Sequence, residues 1–179
     1  DNIFELTPSA SSTDVLGGQR VTNGNITIQR KNNVFQMCFT DPNQGIASAQ
    51  YIFDQKLGEK IGVIYNSADA YSKGIYQKFM SKAKELGLNV VAEEAFASDD
   101  NADFNAQLTA IKAKGADLIF MPIYYTPASI FMTQAKDTIA KDAVYYGCDG
   151  FDGLAGQFED FSVIPQEVSM LSHFDSNAT

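Results

Sequence analysis

Residues 60–71 read KIGVIYNSADAY, an apolar segment that gives way at once to short polar side chains. Residues 61–65 are nearly all apolar, which is typical of a β-strand buried on both faces of a sheet. The segment from about 72 to 86 then places apolar side chains at helical spacing, and Gly87 is a typical helix terminator. This stretch therefore predicts one strand followed by one helix.

Three further strands of the same kind follow in the chain. We predict them at residues 89–95, 117–123 and 143–147, with helices over 103–114 and 127–138 between them. Strands that alternate with helices of this length favour a parallel sheet with right-handed crossover connections. The sequence thus predicts an α/β fold, a Rossmann-like open parallel sheet with helices on both faces.

The segments outside this series are shorter. We predict a first strand that ends at Thr7-Pro8, a second strand at residues 34–39 and a last strand at residues 168–171. Asn23-Gly24 lies between two β-forming segments and predicts the turn of a hairpin. A short helix is expected at 153–157.

A longer helix precedes residue 60. Thr40-Asp41-Pro42 supplies an N-cap and a first-turn proline, and the helix is expected to run to about Gln55. Its apolar residues at helical spacing predict the buried face. These residues are Ile46, Ala49, Ile52 and Phe53.

The composition indicates one compact globular unit. The 179 residues are 45% hydrophobic and 20% charged, with a net charge of −9. A nucleic-acid binder needs a basic face, whereas the 13 Lys and Arg residues are scattered, so no nucleic-acid partner is expected. No apolar run approaches the roughly 20 residues of a membrane-spanning helix. The first residues look like the middle of a folded unit, so we expect a fragment of a longer protein.

Two cysteines, Cys38 and Cys148, lie in or beside predicted strands. Unpaired cysteines are commonly buried, so two buried free thiols are expected. A disulfide between them is the alternative, because proteins of oxidising compartments contain disulfides.

Phenol and carboxylate side chains follow three of the predicted strands. Tyr71 comes after the first strand of the series, Tyr124 and Tyr125 after the third, and Asp149 after the fourth. Ligands bind just beyond the carboxyl ends of parallel strands, so these groups are expected to converge on a small molecule. A carboxylate can pair with a ligand ammonium, and tyrosine offers a ring and a hydroxyl. The alternatives are a capping Asp and ordinary core or surface tyrosines.

Ser9 and Ser11 lie two residues apart after a proline turn. Hydroxyls and backbone N–H groups in such a turn can bind a carboxylate. The alternative is an ordinary serine-rich turn.

Catalytic interpretations find little support. His173 is the only histidine and has no identifiable partner, and the turn at residues 66–70 lacks the glycines of a dinucleotide-binding loop. The Gly-Lys-Ser/Thr of a phosphate loop is also missing from the sequence. We therefore predict no enzyme activity, no cofactor and no metal, and a protein that holds a ligand without transforming it.

Several segments of the chain form one recognisable pattern when their order and spacing are considered together. They are 7–12 (TPSASS), 35–45 (FQMCFTDPNQG), 60–65 with 71–74, 103–117, 124–125 and 147–150. In this order and spacing the chain resembles the type I periplasmic or lipoprotein solute-binding proteins of ABC transporters, in the leucine/isoleucine/valine-binding family. The resemblance covers most of the chain, although no single motif is highly specific.

The resemblance implies one lobe of a two-lobed protein that closes on its ligand. Residues 1–39 then form the end of the first lobe and the first inter-lobe crossover. Residues 40–165 form the second α/β lobe, and residues 166–179 the second crossover. The segment 17–31 departs from the family pattern, as an inserted hairpin.

The resemblance also implies roles for the candidate site residues. The turn matching Ser9, Ala10 and Ser11 binds the carboxylate of the ligand. The tyrosine matching Tyr71 and the aromatic pair matching Tyr124 and Tyr125 line the second-lobe side of the cleft, and the acidic residue matching Asp149 pairs with the amino group. Asp149 stands where branched-chain binders have Glu, which preserves the role and alters its reach.

The implied function is that of a substrate-binding component of an ABC transporter. It captures a small amino acid, branched-chain or similar, in an inter-lobe cleft and delivers it to the membrane permease. The implied location is periplasmic or extracellular, free or anchored as a lipoprotein. The alternative is a ligand-sensing domain of a receptor or transcription regulator with the same fold.

Overall fold

The computed structural model describes residues 3–17, 19–22, 25–28, 30–97, 103–139, 142–160, 162, 164–165 and 167–172. The strands are β1 (Glu5–Thr7), β2 (Gln19–Thr22), β3 (Asn25–Ile28), β4 (Val34–Gln36), β5 (Ile61–Asn66), β6 (Val90–Phe96), β7 (Leu118–Met121), β8 (Val144–Gly147) and β9 (Glu167–Met170). The α-helices are α1 (Asp41–Gln55), α2 (Ala70–Leu86), α3 (Asn105–Lys114) and α4 (Tyr125–Ala135). Short 3-10 helices cover Thr13–Leu16, Asp149–Phe151 and Leu154–Gln157.

The main sheet has five parallel strands in the order β6-β5-β7-β8-β9. The chain moves outward from β5 to β6 and then returns past β5 to β7, so the winding direction reverses between β5 and β7. Such a reversal leaves a crevice at the carboxyl ends of the strands. The predicted α/β fold with an open parallel sheet is confirmed, and the predicted last strand joins the sheet as β9.

Each face of the sheet has its own core because side chains alternate along the strands. Val63 and Phe120 pack under α1 and α2, where the rings of Phe79 and Phe120 stack at 3.9 Å. Ile64 and Ile119 belong to the core on the opposite face, which includes the buried side chains of α3 and α4. Each fully buried large side chain contributes about 1.5–3 kcal/mol to folding. Helices therefore cover both faces of the sheet, as predicted, and shield its apolar side chains from water.

The helix ends follow the expected capping chemistry. The Thr40 side chain accepts a hydrogen bond from Asn43 N–H at the start of α1, as predicted. The Asp69 side chain does the same for Ser72 N–H at the start of α2. Gly87 and Gly115 end α2 and α3 with φ of 74° and 65°, a left-handed conformation that glycine adopts without strain.

The predicted buried face of α1 is partly wrong. Ile46 and Phe53 are 42% and 45% exposed, whereas Ala49 and Ile52 are buried as expected. The reason is the close approach of α2, since a Cβ on Gly45 would lie 2.3 Å from the Ile75 carbonyl oxygen. Small residues therefore face α2, and the helix is rotated away from the orientation that hydrophobicity alone predicts.

Element boundaries differ by up to three residues from the predictions, as is usual at frayed ends. The strand predicted at 34–39 ends at Gln36, and the helix predicted at 127–138 runs over Tyr125–Ala135. The helix predicted from residue 103 begins at Asn105, and the strand predicted at 117–123 is the shorter β7.

The chain before α1 forms two small sheets. β1 and β4 pair in parallel, and β2 and β3 form the predicted antiparallel hairpin, with Thr22 opposite Asn25. The predicted turn residues Asn23 and Gly24 lie outside the described residues. A hydrogen bond from Lys31 N–H to the Leu16 carbonyl, 2.7 Å long, joins the two ends of this insertion.

Both cysteines are free, as predicted, but only Cys148 is fully buried, and Cys38 is half-buried. Across the part of the chain that the structure describes, none of the helices has the length and apolar character needed to cross a bilayer.

Candidate binding cleft

The candidate site lies where the winding of the sheet reverses. Tyr71 is in the first turn of α2 after β5, Tyr124 and Tyr125 lie where β7 passes into α4, and Asp149 follows β8. All three connections leave the carboxyl ends of neighbouring parallel strands and therefore meet at one edge of the sheet. The parallel register of the sheet thus brings together residues that are distant in sequence.

The Tyr71 hydroxyl joins two groups of the loop after β8. It donates to Asp149 Oδ1 at 2.7 Å and accepts a hydrogen bond from Gly150 N–H at 2.8 Å. Burial, together with the neighbouring Cys148 and Asp149, raises the pKa of Tyr71 well above its ordinary value. The hydroxyl therefore stays protonated and orients the carboxylate.

Tyr124 and Tyr125 form the aromatic wall of the cleft. The rings of Tyr71 and Tyr124 stack at 4.7 Å with an interplanar angle of 22°. Tyr124 and Tyr125 are 44% and 39% exposed, so these rings are available to a ligand. Such rings combine apolar contact with a polar hydroxyl.

The serine turn (Ser9, Ala10 and Ser11) lies between β1 and the first 3-10 helix. Ala10 N–H donates to Thr7 Oγ1 at 3.0 Å, and the Gln36 amide donates to the Ala10 carbonyl. Ser11 is buried, and its backbone carbonyl accepts from Asp41 N–H at 3.0 Å. These bonds fix the turn against β4 and the start of α1.

A cavity of about 220 Å³ joins the two groups of candidate residues. Its lining includes six of the seven predicted site residues and two others, Gly150 and Asp152. The predicted ones are Ser9, Ser11, Tyr71, Tyr124, Tyr125 and Asp149. Ala10 belongs to the turn but does not line the cavity.

Sequence reasoning did not single out Gly150 and Asp152. Gly150 allows close packing, since a Cβ there would lie 2.8 Å from the Tyr71 hydroxyl and 2.9 Å from the Ile123 carbonyl oxygen. Its position directly after Asp149 is the one signal that could have indicated this role. Asp152 adds a second carboxylate through the 3-10 turn that starts at Asp149, a geometry without a sequence pattern.

The charge of the lining favours a cationic group of the ligand. The eight lining residues include two carboxylates and no lysine, arginine or histidine. Among the described residues, no group of three or more His, Cys, Asp and Glu side chains is arranged to hold a metal ion. The cleft can therefore bind an ammonium through charge-assisted hydrogen bonds while the serine turn offers polar groups to an anion.

Asp41 lies behind the serine turn, and its carboxyl is affected by other carboxylates, among them Asp149 of the cleft. Burial raises the pKa of the Asp41 carboxyl to about 6, and the charges of Asp149, Asp69 and Asp14 act in the same direction. A hydrogen bond with Ser11 acts in the opposite direction. This carboxyl is therefore a buried group linked to the wall of the cavity.

Comparisons with known proteins agree on the type of molecule. The chain is 28% identical over 116 residues to an amino acid binding protein of Pseudomonas aeruginosa, covering 65% of the chain and 30% of that protein. It is 27% identical over 177 residues to Leu/Ile/Val-binding protein homolog 1 of Brucella abortus, covering 93% of the chain and 44% of the relative.

Two of the solved structures that match illustrate the shared fold. A leucine-binding protein of Thermotoga maritima superposes with a TM-score of 0.71 at 27% identity, covering 84% of this chain and 39% of that one. A branched-chain amino acid substrate-binding protein of Streptococcus pneumoniae, in complex with isoleucine, gives a TM-score of 0.59 at 32% identity. That match covers 66% of this chain and 33% of the other. The chain thus spans less than half the length of these relatives.

A family model described as periplasmic binding protein matches residues 11–159, which is most of the chain. This range includes five of the six predicted site residues that line the cavity. The chain therefore belongs to the periplasmic binding protein family.

Proposed function

We propose that this chain is part of the substrate-binding component of an ABC transporter that captures a small amino acid, branched-chain or similar. The observation that supports this most directly is the shared cavity. Asp149, oriented by Tyr71, and the serine turn both line it, so one zwitterion can reach a carboxylate and an anion-binding turn. The relatives named above, which bind amino acids by their names, support the same ligand class.

In this proposal each candidate residue has one role. Asp149 pairs with the ammonium of the ligand. The turn of Ser9, Ala10 and Ser11 binds its carboxylate through Ser9 and Ser11, which line the cavity. Tyr71 orients Asp149, while Tyr124 and Tyr125 contact the apolar part of the ligand. Affinity comes from excluding water around a few placed charges, with no bond made or broken.

The same proposal also concerns the location of the protein, its membrane partner and its division into lobes. Family membership implies a periplasmic or extracellular location and a solute-binding role without catalysis. We propose further that the protein delivers its ligand to a membrane permease and that it can be anchored as a lipoprotein. Residues 40–165 would form the second lobe, between crossovers at 1–39 and 166–179. The relatives named above give no support to the alternative of a sensory domain.

Titration calorimetry tests the proposal on the complete product of the gene. Each of the twenty amino acids is titrated into the wild type, Asp149→Asn and Asp137→Asn. Asp149→Asn should weaken binding of the best ligand by about 10- to 100-fold, because a hydrogen bond to a charged group is worth about 1.5–3 kcal/mol. Asp137 lies in the turn after α4, away from the cavity lining, and its variant should bind like the wild type.

Other results would redirect the assignment. If none of the twenty amino acids binds, the ligand is of another class, such as a small carboxylate or amide. If amino acids bind equally well to Asp149→Asn, Asp149 is a capping residue and not the partner of the ammonium.

A further inference from the structure

Two buried polar side chains lie in the first turn of α1, behind the walls of the cleft. Asp41 is 2% exposed and Gln44 is completely buried. Neither of them lines the cavity. Burying a carboxylate or an amide costs free energy unless it is hydrogen-bonded, so the bonds that these side chains make indicate why they are there.

Gln44 holds the turn that presents Asp149. Gln44 Oε1 accepts a hydrogen bond from the backbone N–H of Asp149 at 3.2 Å. Asp149 begins a 3-10 helix, and Cys148 in front of it provides no side-chain cap. The Gln44 carboxamide therefore satisfies an N–H group at the start of this helix from another element. Within the described residues Gln44 Nε2 makes no hydrogen bond, so this contact is the one that the amide serves.

Asp41 holds the serine turn in a similar way. Its backbone N–H donates to the Ser11 carbonyl at 3.0 Å. A hydrogen bond with the Ser11 side chain acts to lower the pKa of the Asp41 carboxyl, whereas Asp41 Oδ1 has no hydrogen-bond partner among the described residues. Gly74 of α2 leaves room for it, since a Cβ at that position would lie 3.2 Å from the Asp41 Cβ. Asp41 is thus enclosed between the serine turn and α2.

We propose that Asp41 and Gln44 are positioning residues that set the distance between the serine turn and Asp149. Both belong to one turn of helix, which holds their separation fixed. Asp41 determines where Ser11 lies, and Gln44 determines where Asp149 lies. The inference rests on the proposed function, in which a zwitterion connects these two groups. A fixed separation selects α-amino acids over β-amino acids, whose two charged groups lie one carbon further apart.

The contact itself is tested by amide hydrogen exchange in the 179-residue chain. Gln44→Met keeps the length of the side chain and removes the acceptor, and Gln50→Met is the matched control on the same helix. The Asp149 amide should exchange about fivefold faster in Gln44→Met, since a bond worth about 1 kcal/mol is lost. Exchange at Asp149 should remain at the wild-type rate in Gln50→Met. An unchanged rate at Asp149 in Gln44→Met would overturn the proposal.

The effect on binding is tested by calorimetry with L-leucine and its β-amino isomer, using the complete gene product. Gln44→Met and Asp41→Leu should each weaken L-leucine binding by about three- to tenfold. Asp41→Asn should stay within twofold of the wild type, because its amide oxygen can still accept from Ser11. The preference for L-leucine over the β-isomer should fall in Gln44→Met and Asp41→Leu and persist in Asp41→Asn.

The outcomes separate positioning from general stabilisation. If Gln44→Met and Asp41→Leu weaken both isomers by the same factor, the residues only stabilise the fold and the proposal is wrong. If the wild-type protein binds neither isomer while the Asp149 amide responds as expected, the proposed ligand class fails and the positioning of Asp149 stands.

Discussion

At the level of single residues, Gly150 is closely packed in the cleft. A methyl group there would lie within 3 Å of both the Tyr71 hydroxyl and the Ile123 carbonyl oxygen. Gly150→Ala should therefore lower the free energy of unfolding by about 1–3 kcal/mol, as overpacking does elsewhere. Gly156→Ala is the control, since nothing lies within 4 Å of a Cβ at that position. Urea unfolding of the two variants should show a loss for the first and little change for the second.

Asp41 gives the fold a specific dependence on pH. Its pKa is raised to about 6 in the folded state, above the 3.8 of an unperturbed Asp. The folded state therefore holds the proton more tightly, and stability falls as pH rises from about 4 to 6. At pH 7.5 Asp41→Asn should raise the free energy of unfolding by about 1–3 kcal/mol.

The pH series distinguishes the electrostatic cause from a packing effect. The advantage of Asp41→Asn should shrink as pH is lowered through 6 towards 4, because the carboxyl of the folded wild type becomes neutral over this range. Thermal or urea unfolding at several pH values measures this. A gain that is independent of pH, or a loss at pH 7.5, would show that the burial of the Asp41 carboxylate and the negative charges near it do not control the stability of the fold.

The candidate residues show how far sequence reasoning reaches at this scale. Tyr71, Tyr124, Tyr125 and Asp149 were identifiable because each follows a strand whose apolar pattern is clear. Gln44 was not identifiable as a partner of Asp149, since the two are 105 positions apart and only the packing of α1 on the sheet brings them together. Contacts between distant elements leave no periodic signal in a single chain.

At the scale of elements, the hairpin of β2 and β3 is independent of the main sheet. It pairs only within itself among the described strands, and the bond between Lys31 and Leu16 joins its ends. Replacing residues 18–29 by a short glycine-containing linker should change the free energy of unfolding by less than about 1 kcal/mol, because loop length contributes weakly. Urea unfolding checks this, and a larger loss would show that the hairpin packs on the core.

Strands and helices were largely predictable, and the orientation of α1 was not. The apolar run of β5 predicted a strand, because a strand buried on both faces requires apolar residues. The glycines after α2 and α3 predicted the helix ends, because a left-handed terminus favours glycine. The orientation of α1 depends on Gly45, where the backbone of α2 comes closest. Hydrophobicity at Ile46 and Phe53 predicted a different face, because the pattern takes no account of how near a neighbouring helix can approach.

At the scale of the whole molecule, the cleft has one wall from the sheet and one from the serine turn. The chain spans less than half the length of the relatives that it matches. The 179-residue chain alone should therefore bind amino acids weakly or not at all, because closure around the ligand excludes the water that screens its charges. Calorimetry with L-leucine measures this, and a dissociation constant below about 1 μM, or −8.2 kcal/mol, would contradict it.

The stacked Tyr71 and Tyr124 rings also give the protein its own optical signal. The chain has eight tyrosines and no tryptophan, so tyrosine emission is not lost by energy transfer to an indole. Three of these tyrosines line the cavity, and one of them is hydrogen-bonded to a carboxylate, an arrangement that quenches phenol fluorescence. A ligand that displaces water from these rings or draws Asp149 away changes that quenching. In this chain, weak occupancy of the cleft at high ligand concentration can thus be followed by ultraviolet emission without attaching a dye.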